Sequence, residues 1–167
     1  MPQIETSRTL DIARPAVAQA ILQICKEAEQ KKAPYDNVSL RVNFEQLHLP
    51  GVGTVDVPIV VTVANAIGIP PTRFDLTITA QNNEAYFPRF EGTVFPDGDG
   101  PTKTDVWLRG EYTPPLGTIG KALDAAMFSG AARTSLESFL LWLVTEAATR
   151  IRHDEYETAR ATLHRHE

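Results

Sequence analysis

The stretch VWLRGEYTPPLGTIGKALDAAMFSGAARTSLESFLLWLVTEAATRI, residues 106–151, decides how the whole chain is read. It begins as a strand, VWLRGEYT, meets the double proline Pro114-Pro115, and then turns helical. Ile119, Leu123 and Ala126-Met127 recur at helical spacing, and Ser129-Gly130 is predicted to interrupt that short helix. Leu136, Phe139, Leu140, Leu143, Ala147 and Ile151 then mark one face of a long helix. Thr134, with Glu137 three residues on, resembles a capping box at its start, although an earlier start is also open. Each large side chain on that face contributes roughly 1.5–3 kcal/mol when buried. Docking of this helix is therefore expected to dominate stability.

Upstream, the chain supplies strands for the helix to close. Ile4 to Ile12 reads as a first strand, with Ile4, Leu10 and Ile12 on one parity. Pro15 suits the first turn of a helix, where its missing N–H costs nothing. Val17, Ile21, Ile24 and Ala28 repeat at helical spacing to about Lys31, with Ala20 and Cys25 beside them. Pro34 ends that helix, because the residue before a proline avoids helical angles. Val38, Leu40, Val42 and Phe44 then alternate with polar residues, the period of a half-buried strand. A glycine-rich turn, Leu49 to Thr54, leads to the β-branched run Ile59 to Ile67. Pro70-Pro71 marks the next turn, and Phe74, Leu76, Ile78 and Ala80 alternate again. Tyr86 to Phe95 and Lys103 to Thr113 are the last two strands, joined by the wet tip PDGDGP. Short turns imply antiparallel neighbours. Helices at the ends, and none between strands, imply an α+β class with a curved antiparallel sheet against the long C-terminal helix.

Bulk composition narrows the function classes. At 167 residues the chain is expected to be a single domain, 1–167, with a polar helix end and tail from about residue 153. Hydrophobic content of 43% against 22% charged residues is that of a soluble globular protein. A net charge of -5 argues against a nucleic-acid surface, and Arg150, Arg152, Arg160 and Arg165 are interspersed with acids. The N-terminus lacks the pattern of a signal peptide, and no apolar run reaches the length of a membrane span. Cys25 is the single cysteine, so no internal disulfide forms, which fits a reducing compartment. The expected location is the cytoplasm.

The segment Leu108-x-Gly110-x-Tyr112-x-Pro114-Pro115-x-Gly117-x-x-Gly120-x-x-x-Asp124 resembles the last strand, turn and following helix of the START-like, Bet v 1-like (SRPBCC) superfamily. The likeness is to its polyketide cyclase/dehydrase and lipid-transport branch. The layout covers nearly the whole chain, and the motif only a short part of it. Two departures stand out: one helix replaces the two short ones after the first strand, and the aromatic-rich segment that often follows them is missing. The resemblance implies a helix-grip fold with an apolar cavity between sheet and helix. It implies an inward lining of Phe44, Leu76, Ile78, Phe90, Val94, Leu108 and Tyr112 on strands, with Met127, Phe139 and Leu143 on helices. Alternation of apolar residues alone does not distinguish a hollow core from a solid one.

Reactive chemistry finds little support. His48, His153, His164 and His166 form no metal-ligand spacing on a structured element. Asp97-Gly98-Asp99-Gly100 lacks the carboxylate pattern of a calcium loop, and Gly117-x-x-Gly120-Lys121 lacks the full phosphate-loop spacing. Neither a metal nor a cofactor is expected. Tyr86, Arg89, Glu91, Asn65 and Tyr112 are the polar residues a catalyst would draw on, with Arg89 and Glu91 expected to face solvent. Cys25 lies on the buried side of its helix, which argues against a nucleophile. The primary expectation is binding or carriage of a hydrophobic small molecule or lipid without catalysis. One alternative is a cyclase/dehydrase-type enzyme in which Tyr112 or Asn65 polarises a carbonyl. Another is an interaction or assembly module, for instance a homodimer through Trp142, whose other role would be to cover the core edge.

Overall fold

A computed structural model describes residues 3–31, 39–43, 54–68, 71–81, 89–98, 100–113 and 125–163, with the side chains of 28–31, 39–43, 54–58, 125–129 and 131 excepted. Strand β1 (Gln3–Leu10) leads into helix α1 (Arg14–Lys31). Five more strands follow: β2 (Ser39–Asn43), β3 (Thr54–Gly68), β4 (Pro71–Ala80), β5 (Arg89–Asp97) and β6 (Thr104–Thr113). Helix α2 (Ala125–Leu163) closes the described chain. The strands form one sheet in the order β1-β6-β5-β4-β3-β2, and every pairing is antiparallel.

The curvature follows from what α2 touches. It packs on both edge strands, β1 and β2, as well as on β6 and α1. Six strands about 4.8 Å apart span about 24 Å. A helix is only about 10–12 Å across. One helix can meet both edges only if the sheet bends around it. Register shifts in β3 between Val63 and Asn65, and between Ile67 and Gly68, help bend that strand. Gly68, at φ 106°, takes the left-handed conformation that a side chain would strain at the end of β3.

The inner face is built from the expected parity. Phe74, Leu76, Ile78 and Ala80 on β4 are buried, as are Phe90 and Val94 on β5 and Val106, Leu108 and Tyr112 on β6. Gly92 and Gly110 face each other across β5 and β6. The ring of Phe90 fills the space their side chains would take: its Cζ stands 2.6 Å and 2.8 Å from the positions of the two missing Cβ atoms. The backbones approach too closely there for any larger residue. Arg89 and Glu91 do face solvent, and they pair with each other along β5 at 2.6 Å. The residue directly opposite Glu91 on β6 is Glu111, a like charge.

Three boundaries differ from the expectation by more than a residue or two, or in kind. β1 ends at Leu10, and half-buried Ile12 lies beyond it, next to α1. β3 starts at Thr54 rather than Ile59, because its first residues pair with β2 while the remainder pairs with β4. Helix α2 is continuous through Ser129 and Gly130 instead of restarting there. Glycine inside a helix costs only about 1 kcal/mol relative to alanine, which a long packed helix absorbs. Thr134 is consequently no N-cap: its hydroxyl donates backwards to the Gly130 carbonyl at 3.1 Å, within the helix. The expected turns of α2 upstream of Ala125 lie outside the described residues.

Candidate functional site: an apolar chamber with three walls

Both helices lie against the sheet, and they divide its area. α2 spans the edges, while α1 packs on β3, β4 and β5. Between them a small apolar space remains. Ile21, Ile24 and Cys25 of α1 form one wall, and Val61, Val63, Leu76 and Val94 of the sheet form the second. Phe139, Trp142 and Leu143 of α2 form the third. Among the described residues, no carboxylate, hydroxyl, guanidinium or ammonium group lines it. Its volume is about 10 Å³, room for about one water. Small-molecule sites occupy roughly 300–1,000 Å³. The space as it stands is far smaller than such a site.

Four of the lining residues expected from sequence meet around this space: Leu76, Val94, Phe139 and Leu143. Ile78, Phe90, Leu108 and Tyr112 are buried on the same inner sheet face but belong to the packed core beside it. Phe44 and the side chain of Met127 lie outside the described residues. The largest omission is α1. Ile21 and Ile24 stood out as the apolar stripe of that helix, and Cys25 beside them, yet nothing in the local pattern shows which strands such a stripe will meet. Val61 and Val63 were likewise visible only as part of a β-branched run.

The polar candidates separate. Asn65 is exposed on β3, on the far side of the sheet from the chamber, where it faces Asp75. Tyr112 is 1% exposed, but it does not line the space. Tyr86, His48, His164 and His166 lie outside the described residues, and His153 is exposed on α2. Trp142 is half-buried with its ring centroid 5.9 Å from that of Phe139. It covers the core edge and borders the chamber.

One polar contact joins the two helical walls. Arg150, two turns beyond Trp142, donates from both terminal nitrogens to the Glu27 carboxylate of α1, at 2.8 and 2.9 Å. Its Nε donates to Glu146 at 2.8 Å. The Glu27 hydrogen bonds raise the guanidinium pKa further above its usual high value, against the lowering effect of burial and with added support from Glu146. A planar fork fits a carboxylate in this two-bond geometry, which makes it directional as well as charged.

Layout and packing together decide the architecture: a sheet gripping a long C-terminal helix, with a second helix beneath the central strands. The chain has a helix-grip fold. No family model and no curated protein matches the sequence. Solved structures do share the fold. A conserved protein from Geobacillus kaustophilus overlaps 89% of this chain and 96% of its own, at 16% identity and TM-score 0.56. A protein from Thermus thermophilus overlaps 92% of this chain and 99% of its own, at 13% identity and TM-score 0.51. The Zhui aromatase/cyclase from a Streptomyces overlaps more loosely, with 90% of this chain and 95% of its own covered, 9% identity and TM-score 0.47. Identities this low speak for the helix-grip fold alone.

Proposed function

We propose that this helix-grip protein binds an apolar small molecule or a lipid acyl chain in the space between sheet, α1 and α2. The single observation that carries the reading is the chamber's lining: its ten described side chains, from three walls, are apolar but for one thiol and one indole N–H. Affinity comes from removing apolar ligand surface from water, at roughly 25 cal/mol per Å². A lining of this kind has nothing to hold a charged headgroup, so any polar end of the ligand sits at the mouth. The protein acts as a soluble carrier or sequestering domain in the cytoplasm, with no chemistry performed on its cargo.

The exposure of Asn65 favours this reading over a cyclase/dehydrase-type enzyme, because it leaves Tyr112 as the one inward polar candidate of the two. An assembly role through Trp142 has less support than a core role, since the ring lies tilted against Phe139 and borders the chamber. Native mass spectrometry of freshly purified protein, paired with titration by the uncharged dye Nile red, tests the proposal. A co-purifying apolar species, or saturable one-to-one dye binding that Leu76→Asn weakens, is the expected result. A protein that carries nothing and takes up no dye has a solid core, and the proposal falls.

A further inference from the structure

A chamber of about 10 Å³ holds no ligand until one wall moves. The three walls differ in how firmly each is held. The sheet wall is tied by antiparallel ladders on both sides of β4 and β5. The α2 wall buries Leu136, Leu140, Val144 and Ala147, and the helix packs on both edge strands. Helix α1 is held differently at its two ends. At its start, Thr104, fully buried on β6, donates its hydroxyl to the Ile12 carbonyl at 2.6 Å, and Ala13 accepts the first helical hydrogen bonds. Towards its other end lies the Arg150 fork on Glu27. That contact is polar and within reach of water, with Arg150 25% and Glu27 45% exposed. The chamber-facing residues Ile21, Ile24 and Cys25 lie between the pinned start and the polar fork.

The geometry points to α1 as the door of the chamber, hinged at Ile12–Ala13 and latched by Arg150 on Glu27. Opening breaks the two charge-assisted hydrogen bonds of the fork, whose partners water can solvate, and lifts Ile21 and Ile24 off the sheet. An apolar ligand then replaces the contacts those two side chains lose. The fork resets the door by its geometry, since only one orientation of the helix brings both carboxylate oxygens onto the guanidinium. Glu146 holds the Arg150 side chain in place while the latch is open. This inference rests on the ligand-binding reading above, and it assigns the entry route and its control.

Stopped-flow uptake of Nile red and amide hydrogen exchange, run on the same proteins, test it. Arg150→Met and Glu27→Gln each remove the latch, and Glu5→Gln, which removes the exposed ion pair with Arg109 on the outer sheet face, is the control. Loss of a latch worth one such partly exposed fork is expected to speed dye entry and exit by about tenfold, with unchanged stoichiometry. High salt should speed entry in wild type and leave Arg150→Met unaffected. Amide exchange should rise in the second half of α1 and stay level in β4 and β5. Equal dye kinetics in wild type and both latch variants overturn the door while leaving the binding site intact. If no protein takes up dye, the binding reading fails. The latch is then judged on exchange alone: selective loosening of α1 upholds it, and unchanged protection removes it.

Discussion

The two ends of α2 follow opposite rules. From Ala132 to Ala148 every turn buries residues against the sheet or α1. From Arg152 to Leu163 every side chain is exposed, including Tyr156 at 66% and Leu163 at 73%. The helix is continuous across the change, so backbone hydrogen bonding is the same in both halves. What differs is tertiary burial, and tertiary burial rather than helix propensity supplies most helical stability in proteins. The gripped half should be intolerant of substitution and the overhang permissive.

The strongest test of that contrast is Leu143→Asp. A carboxylate placed at this 3% exposed position has no partner in an apolar surround, and the expected loss is more than about 5 kcal/mol, enough to abolish folding. Wild-type-like thermal melting would mean that the gripped half is not the core. Next in size is Gly110→Ala on β6. Its Cβ would collide with the Glu91 carbonyl and the Gly92 Cα, so strand separation or a displaced Phe90 is unavoidable. The expected cost is about 2–3 kcal/mol in chemical denaturation. An unchanged midpoint would show that the glycine pair is not a close-packing device.

Smaller effects sharpen the boundary between the two halves. Arg150→Met, at the last turn before the overhang, should lower global stability by only about 1 kcal/mol, because the fork is partly solvated and the Met side chain keeps the apolar stem contact. Its larger signature is local, in the exchange of α1. Tyr156→Ser with Leu163→Ser should shift the melting midpoint least of all, within about 0.5 kcal/mol. A clear destabilisation by that double change, growing with protein concentration, would mean that the overhang is covered in solution by a second copy.

How far each half was legible from sequence differs in the same way. The stripe Leu136, Phe139, Leu140, Leu143, Ala147 and Ile151 announces a buried face through its 3.6-residue period; the first five are buried and Ile151 is half-buried where the overhang begins. Period-two alternation did the same for Phe74, Leu76, Ile78 and Ala80. The break expected at Gly130 was misplaced because local propensity was weighed without the packing that overrides it. The same holds for Thr134: a hydroxyl with Glu three residues on suits a cap, but equally a side chain that bonds back one turn inside a helix.

The candidate site was legible in its apolar character and not in its composition. Leu76, Val94, Phe139 and Leu143 were named from pattern and resemblance, whereas the whole α1 wall was not. The Arg150–Glu27 fork joins residues 123 positions apart, and neither carries any local sign of the other. From the order of residues alone come the kinds of element, their succession and which side of each is apolar, because those follow from periods of two and 3.6 acting within a few residues. Which helix covers which strands, how nearly the space between them closes, and which charges meet across it were decided by the folded sheet. Those contacts depend on distance in space, and short-range periodicity carries no record of it.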